Sequence, residues 1–133
     1  MHIKRLQHVS IGIEAGREDE ARRFYGEALG LREKPRPMGL KDRALIWYDI
    51  GEDEHEIHLL RTDPAEFSPP RAADHLCIEV DDIAAMRVHL NAQHVPIKET
   101  SVIDNRPRFF VEDPFGNSIE LVQITGRFTP VNE

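Results

Sequence analysis

The fold is decided by QHVSI at residues 7–11, which returns as DHLCI at residues 74–78, an offset of 67 positions. A second pair of stretches, IHL at residues 57–59 and IEL at residues 119–121, is offset by 62 positions. The five-residue difference between the two offsets falls in loops, where insertions are usual. The chain therefore contains an internal repeat, and each copy occupies about half of its length.

Each half predicts the element order β-α-β-β-β. In the first half, alternation predicts a strand over residues 5–13, and apolar spacing predicts a helix over residues 18–29 that Gly30 ends. Three further strands are predicted there, at residues 31–34, 43–49 and 55–61. In the second half, Asp81 or Asp82 can cap a helix over residues 83–93. The strands predicted in that half lie at residues 73–80, 95–100, 108–112 and 117–124, and DPFG at residues 113–116 predicts a turn between the last two.

The eight predicted strands indicate an α+β fold in which two βαβββ modules form an open, barrel-like cup. A ferredoxin-like βαββαβ domain has too few strands to account for them. With 133 residues, the chain fits one domain over residues 1–133. We expect the first module at about residues 3–62, a proline-containing linker at about 63–72, and the second module at about 73–125.

Composition narrows the classes of partner. The chain has 17 basic and 24 acidic residues, a net charge of −7, and no basic stripe, which argues against nucleic acid or an anionic membrane as partner. It has no apolar run near 18 residues and no signal-peptide pattern. The single Cys77 excludes an intrachain disulfide and a multi-cysteine zinc site. These features predict a soluble protein of the reducing cytoplasm, and the family resemblance given below adds a small molecule as its expected partner.

Four side chains able to bind a metal occupy repeat-related positions. The first offset aligns His8 with His75, and the second aligns His58 with Glu120. A pseudo-two-fold relation between the modules would bring all four to one point. Three imidazoles and one carboxylate suit Zn²⁺, Ni²⁺, Co²⁺, Mn²⁺ or Fe²⁺ rather than Ca²⁺ or Mg²⁺. The alternative is that these are unrelated, half-buried strand residues.

At this point the sequence resembles a known family. The residues that carry the resemblance are FYGEALGL at 24–31, the strand-opening His8 and His75, and FVEDPFGNSIE at 110–120. They are similar to the vicinal oxygen chelate superfamily, and the likeness extends over about residues 3–125. That superfamily includes glyoxalase I, methylmalonyl-CoA epimerase, fosfomycin-resistance transferases, extradiol dioxygenases and bleomycin-binding proteins. The resemblance implies paired βαβββ modules and metal ligands drawn from His8, His58, His75 and Glu120.

The resemblance also bears on the residues around the ligands. The position of His58 is often Glu or Gln in glyoxalases and epimerases. The resemblance therefore does not assign the substrate of any one of these enzymes to this chain. Glu56 lies on the same strand face as His58 and could replace it as ligand or act as a base. Similar proteins place substrate contacts at the positions of Arg108 and Phe110. Arg108 could grip a carboxylate or phosphonate, or it could be a plain solvated arginine.

Trp47 and Tyr48 point to opposite faces of one predicted strand. One of them should line the cup while the other packs beneath the helices. We expect Trp47 to be the core residue, which makes Tyr48 a candidate substrate contact.

The leading functional hypothesis is a glyoxalase I-like lyase or isomerase. A bound metal would stabilise an enediolate or another oxyanion, and Glu120, or else Glu56, would move the proton. The alternatives are a thiol or epoxide-opening transferase, a non-catalytic drug-binding protein and an extradiol-type dioxygenase. The retained ligand set speaks against the drug-binding protein. A fourth protein ligand speaks against the dioxygenase, which must leave metal positions open.

A homodimer is the expected assembly. A module of about 60 residues buries too little surface to be comfortably stable alone. The modules could pair within one chain or be exchanged between two chains. In an exchanged dimer, His8 and His58 would come from one subunit while His75 and Glu120 would come from the other.

Overall fold

The computed structural model describes residues 1–40 and 45–132. The chain divides into two compact units, Met1–Pro69 and Pro70–Glu133, and the boundary lies in the segment predicted as the linker. Unit 1 contains four strands, one helix that continues as a π-helical turn, and a short 3-10 turn at Met38–Leu40. In chain order these are β1 (His8–Glu14), α1 (Glu18–Arg22) with its π turn (Arg23–Ala28), β2 (Arg32–Lys34), β3 (Leu45–Asp49) and β4 (Glu56–Thr62). Residues 43 and 44, predicted to begin β3, lie outside the described residues.

The sheet of unit 1 has the strand order β1-β4-β3-β2. β1 and β4 run parallel, with Ser10 opposite His58, and the other pairs are antiparallel. Because neighbouring residues of a strand point to opposite faces, Ile57 and Leu59 lie on one face and His58 lies on the other.

The apolar face of this sheet is covered by α1. The positions predicted to form the apolar stripe of the helix are all buried, from Ala21 to Leu29. The Leu29 N–H donates to the Phe24 carbonyl, five residues earlier, at 2.8 Å, which makes the last turn π-helical rather than α-helical. Gly30 follows at φ 75° and ends the helix as predicted.

Unit 2 repeats the arrangement with one strand fewer. Its elements are β5 (His75–Glu79), α2 (Ile83–Ala92), β6 (Arg108–Glu112) and β7 (Ser118–Val122), and its sheet has the order β5-β7-β6. The cap of α2 is Asp82, whose Oδ1 accepts from the Ala85 N–H at 2.9 Å.

The predicted strand at residues 95–100 is wrong as a full strand. Only Lys98 pairs there, in an isolated bridge to Phe110. Pro96 has no N–H to donate, which prevents a longer ladder at that edge.

The β6–β7 hairpin is fixed by the carboxylate of Asp113. Its Oδ1 accepts from the N–H groups of Phe115 and Asn117, both at 2.8 Å, and its Oδ2 accepts from the Asn117 side-chain amide at 2.7 Å. Gly116 takes φ 88°, a left-handed conformation that glycine adopts without strain. The turn predicted from DPFG therefore sets the register of the two strands that carry Arg108 and Glu120.

The strand registers reproduce the internal alignment. β5 pairs in parallel with β7 and places Cys77 opposite Glu120, just as β1 places Ser10 opposite His58. The α+β class is confirmed, and unit 2 keeps the predicted module order except for the strand after its helix. None of the helices among residues 1–40 and 45–132 is long and apolar enough to cross a membrane.

Candidate functional site

Each unit carries its candidate ligands on the sheet face that the core does not use; we call it the polar face. Register gives each polar face a row of directly paired residues across the sheet. In unit 1 the row is Ser10, His58, Trp47 and Lys34. In unit 2 it is Cys77, Glu120, Phe110 and Lys98. In both units the candidate ligand is therefore followed across the sheet by an aromatic residue and then by a lysine.

The first candidate ligand, His8, has a fixed hydrogen-bonding role. The Gln7 side-chain amide donates from Nε2 to the Glu54 carbonyl at 2.6 Å, which turns its Oε1 toward His8. His8 Nδ1 lies 2.7 Å from that oxygen and must donate to it. A neutral imidazole that carries its hydrogen on Nδ1 keeps a free lone pair on Nε2. His8 therefore presents Nε2 as a metal donor, with the second hydrogen bond that ligating histidines usually have.

His75 and Glu120 form the second candidate pair, and the structure brings them together. His75 Nδ1 lies 3.2 Å from the Ala73 carbonyl, an acceptor to which it can only donate. Its Nε2 lies 3.2 Å from Glu120 Oε1. In the neutral imidazole two acceptors then face each other, so a proton or a cation is needed between them. Two ligands bound at about 2.0–2.2 Å to one transition-metal ion stand about 3 Å apart, so the spacing fits.

Arg108, a predicted substrate contact, is engaged within unit 2. Its Nη1 lies 3.3 Å from Glu120 Oε1, and its Nη2 donates to the carbonyl and hydroxyl oxygens of Ser101 at 3.1 and 3.0 Å. Arg108 therefore orients Glu120, while its buried Nε–H forms no hydrogen bond with the described residues.

Phe110, the other predicted contact on β6, lies edge-on to the His75 ring, with centroids 5.0 Å apart. It also lines a cavity of about 470 Å³ in unit 2. It is thus placed beside both a candidate ligand and a volume that a small molecule could occupy.

In unit 1, Glu56 lies on the same face as His58, as predicted. Glu56 Oε1 is 2.9 Å from His58 Nε2, and its Oε2 accepts from Lys34 Nζ at 2.7 Å. Lys34 also pairs with Asp49 Oδ1 at 3.2 Å. Burial raises the pKa of Glu56, but the bonds from Lys34, His58 and Gln7 outweigh burial and lower that pKa to about 2. Glu56 is thus a fixed carboxylate.

The placement expected for the two β3 aromatic residues is reversed. Trp47 stacks on His58, with centroids 3.8 Å apart and planes 6° apart, while His8 stacks on His58 at 4.1 Å. Tyr48 is buried on the other face, 6.0 Å from Tyr25, and burial raises its pKa to about 12. The prediction of Tyr48 as the residue that lines the site was wrong because parity separates the two rings without saying which faces the core.

Sequence reasoning missed Trp47 and Lys34. The signal that could have found them is the internal repeat. Lys34 and Trp47 occupy the positions of Lys98 and Phe110, and Phe110 had already been singled out.

Two observations bound what each unit can do alone. In neither unit do the described residues bring three or more His, Cys, Asp or Glu side chains into an arrangement suited to one metal ion. Lost solvation and the nearby Glu120 carboxylate raise the pKa of Cys77 to about 11, so its thiol stays protonated at neutral pH. Among the described residues, neither unit by itself therefore presents three such donors, and Cys77 offers no thiolate.

Comparison with known proteins agrees with this architecture. A model of the Glyoxalase/Bleomycin resistance protein/Dioxygenase superfamily matches residues 5–121, and the chain belongs to that superfamily. None of the curated proteins matches the chain significantly.

Several solved structures resemble this chain over most of its length. A glyoxalase family protein from Bacillus anthracis is 34% identical with a TM-score of 0.83, over 93% of this chain and 98% of that one. TnmS3, an antibiotic binding protein from Streptomyces sp. CB03234, is 22% identical with a TM-score of 0.74, over 93% and 98% of the two chains. Lactoylglutathione lyase from Agrobacterium tumefaciens is 22% identical with a TM-score of 0.58, over 86% and 90%. The two likenesses at 22% identity concern the fold.

Proposed function

We propose that this chain is a metal-dependent lyase or isomerase of the glyoxalase type, which moves a proton between adjacent carbons of a small oxygenated substrate. The observation that carries the proposal is the contact between His75 Nε2 and Glu120 Oε1. Each atom is an acceptor in the neutral imidazole and the carboxylate, so a cation between them satisfies both. The glyoxalase family protein that is 34% identical supports the same class.

The proposed ligands are His8 from unit 1 and His75 and Glu120 from unit 2, with His58 as the fourth candidate. Two imidazoles and a carboxylate suit Zn²⁺, Ni²⁺, Co²⁺, Mn²⁺ or Fe²⁺. His8 and His75 both fit, because the other ring nitrogen of each donates to a fixed oxygen. When bound, such an ion would act as a Lewis acid toward negative charge on a substrate oxygen.

Glu120 is the proposed proton carrier. It lies beside His75 and Arg108, and Arg108 holds one of its oxygens in place. Glu56, the other candidate, suits this role poorly. A pKa of about 2 and bonds to Lys34 and His58 make it a weak base at neutral pH, where an effective base has a pKa nearer 7.

Arg108 and Phe110 are the proposed substrate contacts. Phe110 lines the cavity of unit 2 and also lies edge-on to the His75 ring, and Arg108 places a guanidinium charge beside Glu120. We propose that these residues orient the substrate and that Glu120 performs the proton transfer.

The test is a proton-transfer assay in D₂O. The protein is loaded with one divalent metal at a time and given the adduct of methylglyoxal with a thiol, and NMR follows deuterium at the product carbon. We expect turnover in the wild type, its loss in Glu120→Gln, and no change in Glu99→Gln, whose exposed carboxylate pairs with Arg87. Oxygen consumption, or thiol consumed in stoichiometric amount without isomerisation, would contradict the proposal in favour of a dioxygenase or a transferase.

A second candidate is a metal-free binder of planar molecules. The observation that favours it is the stack of Trp47, His58 and His8 on unit 1, whose exposed end at His8 could extend to a planar molecule. An antibiotic binding protein shares the fold. Purified protein without metal or turnover that binds a flat aromatic drug would support this candidate.

We further propose that the functional form is a homodimer, in which the units pair within a chain or are exchanged between chains. A unit of this size buries limited surface alone. Light scattering at micromolar concentration is expected to give twice the chain mass of 15.3 kDa. A species at the mass of one chain would contradict the dimer.

A further inference from the structure

A chain of contacts on the polar face of unit 1 links a lysine to a candidate metal ligand. It runs from Lys34 to Glu56 at 2.7 Å and from Glu56 to His58 at 2.9 Å, and then through ring stacking to His8. Glu56 and His58 are only 6% and 7% exposed, although they lie on the face opposite the core. Their burial on this face comes with an ion pair between Lys34 and Glu56 and a hydrogen bond between Glu56 and His58.

The hydrogen bonds define what His58 can offer. The carboxylate of Glu56 already accepts a hydrogen bond from the Lys34 ammonium, and toward His58 it can likewise only accept. His58 must therefore carry a hydrogen on Nε2, and that nitrogen has no lone pair for a metal. His8 has the opposite arrangement, since Gln7 holds its hydrogen on Nδ1.

Unit 2 lacks this network at the equivalent place. Register puts Ser118 where unit 1 has Glu56, and Glu120 where unit 1 has His58. No carboxylate occupies the position that would engage Glu120 from its own strand, and Glu120 faces His75 instead. The two units therefore use the same position differently. In unit 2 the residue at this position is Glu120, whose carboxylate oxygen is available to a metal. In unit 1 it is His58, whose Nε2 already forms a hydrogen bond to Glu56.

We infer that His58 does not ligate the metal through Nε2, the nitrogen at the tip of its ring: Lys34 and Glu56 hold the ring as the Nε2–H tautomer between Trp47 and His8, so that it positions His8. This inference rests on the proposed metal function and reduces the ligand set to His8, His75 and Glu120. Lys34, Glu56 and His58 are positioning residues. They act on the metal through the orientation of the His8 ring, which the nearly parallel stack at 21° restrains.

Three protein ligands leave metal positions open. A catalytic site needs such positions for water or substrate, whereas four protein ligands close a tetrahedral ion. A fourth protein ligand was the argument against a dioxygenase. With three ligands that argument no longer applies, and the reaction assay distinguishes the dioxygenase from the isomerase. The positioning network also explains why a histidine can stand where glyoxalases and epimerases often have Glu or Gln.

The test uses Co²⁺, whose visible absorption reports the number of ligands, titrated into metal-free protein. His58→Phe keeps a ring between Trp47 and His8 but has no nitrogen. We expect it to bind one ion per chain with an unchanged ligand count, whereas the matched change His75→Phe should abolish binding. Loss of the ion in His58→Phe to the same extent as in His75→Phe would overturn the inference.

A second comparison tests Lys34. Lys34→Met should weaken Co²⁺ binding by about tenfold, since changes to groups that orient a ligand cost about 10–100-fold in affinity. The control is Arg32→Met, because Arg32 lies on the same strand and also pairs with Asp49, yet its side chain is 81% exposed. Equal affinities in the two variants would overturn the role of Lys34.

Nitrogen NMR of the metal-free protein separates this inference from the proposed function. Two-bond proton–nitrogen spectra should show His58 protonated on Nε2 and His8 on Nδ1 in the wild type, with the His58 pattern altered in Lys34→Met only. A wild type that shows these tautomers but takes up no cobalt refutes the metal function and supports the network. A bare Nε2 on His58 overturns the inference whether or not the protein binds metal.

Discussion

Replacing Glu56 with glutamine should remove stability that depends on pH. The pKa of Glu56 is lowered from 4.5 to about 2 in the folded chain. A carboxyl group whose pKa falls on folding stabilises the protein above its unfolded pKa, and this contribution is lost as the pH drops toward the folded value. At about 1.36 kcal/mol per pKa unit, the contribution of Glu56 at neutral pH is at most about 3 kcal/mol.

The assay is urea denaturation of the metal-free wild type and Glu56→Gln at several pH values between 7 and 2.5. We expect the variant to be less stable by about 2–3 kcal/mol at pH 7. The difference should shrink below pH 4.5 to about a quarter of that value at pH 2.5, which is still above the folded pKa of about 2. The control is Glu52→Gln, since Glu52 is exposed and forms no ion pair with any residue in 1–40 or 45–132. A stability difference that stays constant over this range would refute the assignment of Glu56 as a buried, ionised partner of Lys34.

Three further predictions follow from contacts at the two polar faces. His58→Ala should expose Trp47, the only tryptophan, so its fluorescence should shift to longer wavelength, and an unchanged emission maximum would contradict the stack. Arg108→Ala should raise KM more than it lowers kcat, because Arg108 is proposed to orient the substrate, and steady-state kinetics that show a lower kcat at an unchanged KM would contradict that role. Asp113→Ala leaves three N–H donors without their acceptor and should cost about 2–3 kcal/mol in thermal unfolding, whereas a loss below 0.5 kcal/mol would show that the turn holds without it.

The sequence predicted the repeat, and two of the four candidate ligands that it aligned, His75 and Glu120, lie together in unit 2. This succeeded because strand pleating fixes which residues share a face, so that an alignment of two modules also aligns their faces. The DPFG turn was equally readable, since the carboxylate of Asp113 and the left-handed Gly116 are local features.

Other features depend on long-range partners that a single strand does not reveal. Trp47 and Tyr48 are both large and aromatic, and only the pairing of Trp47 with His58 decides which one lies on the polar face. Lys34 is unremarkable in sequence, because its role arises from Glu56, 22 positions away. The π turn after α1 uses the same apolar spacing as an α-helix, so the spacing predicted the buried face without the local geometry.

The measurement that tests the central claim most directly is the metal content of untagged protein by mass spectrometry. We expect one divalent transition-metal ion per chain in the wild type. His8→Ala, His75→Ala and Glu120→Ala should each lose the ion while keeping the circular dichroism of the folded sheets, because the ligands lie on the polar faces rather than in the cores. Metal content that is unchanged in these three variants, or a wild type that holds no ion after incubation with Zn²⁺, Ni²⁺, Co²⁺, Mn²⁺ and Fe²⁺ in turn, would contradict the account.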